Sequence, residues 1–189
     1  MKKVILFLGV MAILLVGKVY AADIYAIDPA HSNIGFAVKH MMVSTTKGSF
    51  SDVQGSITYD EQDSAAFKAE AILQAKSVNT AVEKRDEHLR GPDFLDVDKF
   101  PAITFVSKSL SGTSGSYILS GDLTIKAITK EVSFPVTISG PVGNAIGMAG
   151  QLTINRQDYG LSFSKTLDSG GLVVGNDVAV NIDIEAHKK

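Results

Sequence analysis

The chain of 189 residues has no cysteine. Without a thiol it has no disulfide framework, no cysteine nucleophile and no lipobox anchor. It also has no basic run, with 18 Lys and Arg against 20 Asp and Glu. A mildly acidic balance argues against nucleic acid and anionic membrane surfaces as partners. A G-x-S-x-G nucleophile elbow and an H-E-x-x-H metal spacing are both missing, which counts against hydrolytic and zinc-protease chemistry.

One long apolar run is present, at the N-terminus. Val4 to Val16 follows Lys2 and Lys3 and precedes Val19-Tyr20-Ala21, a small-residue cleavage pattern. The run is shorter than the roughly 20 residues of a spanning helix, so residues 1–21 read as an export signal peptide and residues 22–189 as one domain. Cleavage removes three lysines and no carboxylate, leaving a net charge of about −5 on about 168 residues. An exported domain that uses no disulfide needs a core large enough to hold the fold alone, and this length suffices for one.

Period-two alternation then dominates. Phe67, Ala69, Ala71, Leu73 and Ala75 alternate with polar neighbours, Ile72 excepted; so do Val132, Phe134, Val136 and Ile138, and Val178, Val180, Ile182 and Ile184. Further candidate strands are Ile24 to Ile27, Asn33 to His40, Gly48 to Tyr59, Ile103 to Leu110, Tyr117 to Lys126 and Gly147 to Asn155. Strands with one wet and one buried face form antiparallel sheets, and about eight in succession predict an all-β sandwich or closed barrel.

The period changes once. Thr80-Ala81-Val82-Glu83 has the form of a capping box, and Gly91-Pro92 reads as a left-handed stop followed by a breaker. A short helix over residues 81–90 follows, with Asp86 and Arg90 spaced to pair and Val82, Arg85 and Leu89 along one side.

Eight strands suit either a barrel filled by its own side chains or one that holds a small ligand. Small residues in phase with large ones, at Ala69, Ala71, Ala75, Gly121 and Gly150, would thin the inward face. The same residues would equally make room for bulky partners opposite, so periodicity leaves both readings open.

Several motifs occur in a characteristic order: "DPAHSNIGFAVKH" from Asp28, "RDEHL" from Arg85, "DFLDV" from Asp93, "FPAITF" from Phe100, "GDLTIK" from Gly121 and "RQDYG" from Arg156. In order and spacing the chain resembles the YceI-like family of bacterial periplasmic proteins. Ala127 departs from the family's usual glycine after the "LTIK" strand, which concerns the turn rather than the ligand.

The resemblance implies an extended antiparallel lipocalin-like β-barrel with a capping helix near residues 81–90, and a periplasmic location after export. It implies binding rather than catalysis, with a polyisoprenoid, an isoprenoid quinone or a fatty amide held in the lumen. No cofactor besides that ligand, no metal and no catalytic residue are implied. A lipid-modifying enzyme, a quinone-presenting accessory to a membrane redox protein, and a homodimer stay open. Alternation assigns the lining to Phe36, Val38, Phe50, Phe105, Leu123, Phe134 and Phe163. About 30 buried heavy atoms at roughly 0.3 kcal/mol each would give sub-micromolar retention.

Polar groups supply secondary candidates. His31 and His40 are nine apart and would face opposite sides of one regular strand; each is a candidate head-group contact, as is Arg156 with its bidentate fork. Lys39, Lys126, Lys130 and Lys165 complete the cationic candidates. Arg85, Asp86, His88 and Asp93 read as an architectural cap, with Phe94, Leu95 and Phe100 plugging one end.

Overall fold

The structure is a computed structural model that describes residues 22–113, 116–166 and 170–189. The expected signal peptide, residues 1–21, lies outside these. Eleven strands follow in order: β1 (Asp23–Ile27), β2 (Asn33–His40), β3 (Ser44–Phe50), β4 (Val53–Tyr59), β5 (Lys68–Gln74), β6 (Val78–Asn79), β7 (Ala102–Thr113), β8 (Ser116–Ile125), β9 (Ile128–Val142), β10 (Ala145–Asn155) and β11 (Val174–Lys188). The helix α1 (Glu83–Arg90) lies between β6 and β7.

Hydrogen bonding runs β1-β4-β5-β7-β8-β9-β10-β11 and returns from β11 to β1, closing an eight-stranded antiparallel barrel. Every neighbouring pair is antiparallel, and short turns join β7 to β8, β8 to β9 and β9 to β10. Closure removes the free edges of those eight strands, while β2, β3 and β6 extend in that order from β11.

β1 and β2 share the partner β11, with Ile27 opposite Ala186 and Asn33 opposite Asp183. Between them the chain turns, and the Ser32 hydroxyl replaces the missing ladder rung by donating to the Glu185 carbonyl and accepting the Glu185 N–H. The single strand expected over Gly48 to Tyr59 is likewise two. At Ser51 and Asp52 the chain leaves β2 and β6 for β1 and β5, and the Asp52 N–H takes the Ser77 hydroxyl at 3.2 Å instead of a strand partner.

Below this corner the interior is packed. Tyr25, Tyr59, Tyr117, Phe67 and Leu110 are buried there with Val136, Ile138 and Ile146. Burial, and then a hydrogen bond with Tyr117, push the Tyr59 phenol pKa upward. Each large apolar side chain fully buried contributes roughly 1.5–3 kcal/mol, so this end anchors the fold.

The helix starts later than its sequence suggests. Ala81 is left-handed at φ 62°, Val82 caps without a side-chain bond, and the capping box does not form. Thr80 instead turns both its N–H and its hydroxyl to Asp86 Oδ1, at 2.9 and 2.5 Å, and Asp86 is buried. With Asp86 engaged, Arg90 pairs with Glu83 at 3.0 Å and donates to the Lys76 and Val78 carbonyls. Gly91 ends the helix in extended rather than left-handed backbone, φ −72° and ψ 176°. Among the described residues no buried side-chain nitrogen or oxygen lacks a partner.

Candidate ligand cavity

Above the packed end the barrel is hollow. A cavity of about 430 Å³ extends from Ile57, Leu119 and Ile184 to Leu89, Phe94 and Leu161 beneath the helix. That volume lies among those of small-molecule sites, roughly 300–1,000 Å³. Its walls are almost wholly carbon.

Alternation builds those walls. Successive residues of a strand point to opposite faces, so one correct parity places a whole row inward. Phe36 and Val38 on β2, Phe50 on β3, Phe105 on β7, Leu123 on β8, Phe134 on β9 and Phe163 in the segment after β10 all stand on the lining. Phe36 and Phe50 pack with ring centroids 5.9 Å apart, and Phe105 and Phe134 at 6.0 Å. Val178, Val180 and Ile182 of β11 line it too. Their alternation is plain in the sequence, and the same rule extends the lining to them.

Small residues serve two ends. Ala69 and Ala71 border the cavity and leave space. Gly121 does the opposite, since a β-carbon there would meet the Phe105 ring at 2.5 Å, and at Gly150 one would meet Val136 at 2.9 Å. The space above these glycines is thus already filled by neighbouring side chains, which shapes the wall without enlarging it.

The upper end carries a cap of three parts. His88 of α1 meets Phe94 edge-on at 5.0 Å and Phe163 edge-on at 5.2 Å, and Phe94 and Phe163 touch at 5.0 Å. A hydrogen bond of 2.9 Å joins His88 Nε2 and Asp93 Oδ2. Phe94 and Leu95 are buried as expected of a plug, but Phe100 is off the lining, with Lys126 Nζ 6.0 Å over its ring.

The candidate polar contacts separate. His31 lies outside the cavity, exposed, its Nδ1 2.7 Å from Asp28 Oδ2. His40 and Lys39 border the cavity near the β2–β3 hairpin. Arg156 reaches the lining but is only 3% exposed, and its guanidinium donates to the carbonyls of Gly175, Leu161 and Val174 and to Asn176 Oδ1. Burial lowers its pKa from the ordinary arginine range. With four of its donor contacts fixed in the fold, Arg156 is a strut rather than a head-group clamp. It makes no pair with Asp158, which faces Lys130 at 3.7 Å. Lys126 is turned to the Gly160 carbonyl.

Arg85 emerges as the cationic residue the sequence reading placed in the cap without giving it the lumen. Its Nε and Nη2 hold the hydroxyl and carbonyl of Thr80, at 2.8 and 3.0 Å, while the side chain borders the cavity. Its spacing of four from Leu89 on one helix side was the available signal.

A family model described as a YceI-like domain matches residues 25–186. The UPF0312 protein of Staphylococcus aureus strain MSSA476 is 40% identical over 167 residues, covering 85% of this chain and 95% of that protein. Among solved structures, the Campylobacter jejuni YceI protein is 29% identical with a TM-score of 0.69, covering 80% of this chain and 90% of its own. Burkholderia cenocepacia BcnA superposes with a TM-score of 0.77 at 24% identity, covering 84% and 98%. A polyisoprenoid binding domain from Saccharophagus degradans superposes at 0.70 with 16% identity, covering 90% and 100%. The last two likenesses establish the fold.

Proposed function

The chain belongs to the YceI-like family, and we propose that it is an exported periplasmic protein that binds one long-chain apolar molecule, an isoprenoid chain foremost, inside its barrel. The observation that carries this reading is the carbon-walled lumen of about 430 Å³. At roughly 24 cal/mol per Å³, a void of that size would cost on the order of 10 kcal/mol. That is comparable with the whole stability of a domain, about 5–15 kcal/mol. Water is a poor filler, because each molecule wants two to four polar partners. A flexible hydrocarbon restores the missing dispersion contacts along the walls.

Chemistry has less support than binding. Of the ionisable groups that border the lumen, three are engaged structurally: His88 with Asp93, Arg156 with backbone carbonyls, and Arg85 with Thr80. A neighbour of the same fold bears the name of a polyisoprenoid binding domain, which favours an isoprenoid over other chains. Phe36, Val38, Phe50, Phe105, Leu123, Phe134 and Phe163 would grip the chain, with Lys39, His40 and Arg85 meeting its polar end.

Mass spectrometry of an organic-solvent extract of the purified protein tests this. An isoprenoid chain in near one-to-one ratio is the expected result. A quinone in that ratio would turn the reading toward presentation to a membrane redox protein, and an extract with no stoichiometric lipid would contradict it.

A further inference from the structure

On the outer wall, away from the lumen, four side chains from the two ends of the chain meet. Asp28 and His31 come from the β1–β2 corner, and Glu185 and His187 from the outward phase of β11, whose intervening Ala186 is buried inside. Asp28 Oδ2 lies 2.7 Å from His31 Nδ1 and 3.5 Å from His187 Nε2, which is 3.0 Å from Glu185 Oε1. A ligand atom from each of Asp28, His31 and Glu185 falls within 4.8 Å of the other two.

We propose that Asp28, His31, Glu185 and His187 form a binding site for one divalent transition-metal ion of the zinc class. Zinc bonds to nitrogen and oxygen at about 2.0–2.2 Å, so tetrahedral ligand atoms sit roughly 3.3 Å apart. The three close separations here bracket that value. Two imidazoles with two carboxylates select zinc or copper over calcium and magnesium, which take oxygen cages.

Two features set this cluster apart from a chance surface group. Neither carboxylate is neutralised by lysine or arginine among the described residues; both face imidazoles. The nearby Lys188 is turned to Asp23 at 2.7 Å. The frame is also prearranged. Asp28 Oδ1 accepts the Ala30 N–H at 2.9 Å, which orients Oδ2 into the cluster, and the Ser32–Glu185 pair fixes the corner on β11. A bound ion would clasp the β1–β2 corner to the last strand.

Calorimetric titration of the tag-free protein with Zn²⁺ is the test. One saturable site per chain is expected, with the unfolding midpoint rising by roughly 5 °C or more at a hundredfold excess over Kd. The double variant His31→Gln/His187→Gln should lose about 100-fold or more in affinity while keeping its unfolding midpoint without metal. Absence of saturable binding, or binding unchanged in the double variant, overturns the site. Should the variant not fold, the imidazole resonances of the unaltered protein decide. Zn²⁺ moving both His31 and His187 supports the site, and Zn²⁺ moving only His40 or His88 overturns it.

Discussion

The imidazole of His88 stands edge-on to the ring of Phe163, with centroids 5.2 Å apart and planes inclined by 86°. Through this contact and the Phe94 ring beside it, the short helix is tied to the segment that follows β10. An eight-residue helix cannot persist alone in water; its contacts with Phe94 and Phe163 over the lumen hold it.

Phe163→Ala therefore loosens the cap more than the barrel. Each aromatic contact contributes about 0.5–1.5 kcal/mol beyond its buried area, and two are lost. Release of a bound isoprenoid alcohol, followed by stopped-flow fluorescence, should speed up about tenfold or more, while the association rate changes less. An unchanged release rate in the folded variant would show that the guest leaves by another route.

A charge in the lumen should expel the guest. Phe36→Arg and Phe134→Arg each place a guanidinium on the carbon wall, where an unpaired charge costs several kcal/mol. Affinity for an isoprenoid alcohol should fall about 100-fold or more with the β-sheet circular dichroism retained. Equal affinity in a folded variant would remove that residue from the lining.

Arg156 acts on stability. Arg156→Ala orphans the carbonyls of Leu161 and Gly175 and should cost about 2–4 kcal/mol in denaturant unfolding. A loss under about 1 kcal/mol would mean that water replaces the guanidinium at little cost.

The strands and their inward faces are legible in the sequence because alternation is local, and one parity decides a whole row, as on β11. Closure of Asp28 against Glu185 is not, since it depends on register between residues more than 150 apart. Some local signals misled, two of them instructively. Thr80 to Glu83 has the letters of a capping box, yet the left-handed Ala81 aims Thr80 at Asp86 instead. Arg156 has the fork that suits an anion, yet burial turns it to carbonyls. Whether a small residue opens space or admits a ring is decided across strands, as Phe105 over Gly121 shows.

The turn between β8 and β9 carries a local conflict. Lys126 and Ala127 both have positive φ, 49° and 60°, as a type I′ hairpin turn demands. A β-carbon in that conformation costs about 1–2 kcal/mol, partly offset by the lower unfolded-state entropy of alanine. Ala127→Gly should raise the unfolding midpoint by roughly 2–4 °C, measured by thermal circular dichroism. A lower midpoint would show that the turn is not strained.

The most direct measurement is the native mass spectrum of the tag-free protein purified from its native host. A single bound species should appear, roughly a few hundred daltons above the bare chain, in the unaltered protein and not in Phe134→Arg. A spectrum showing the bare chain alone, or an adduct that persists in Phe134→Arg, would contradict a guest held in the lumen.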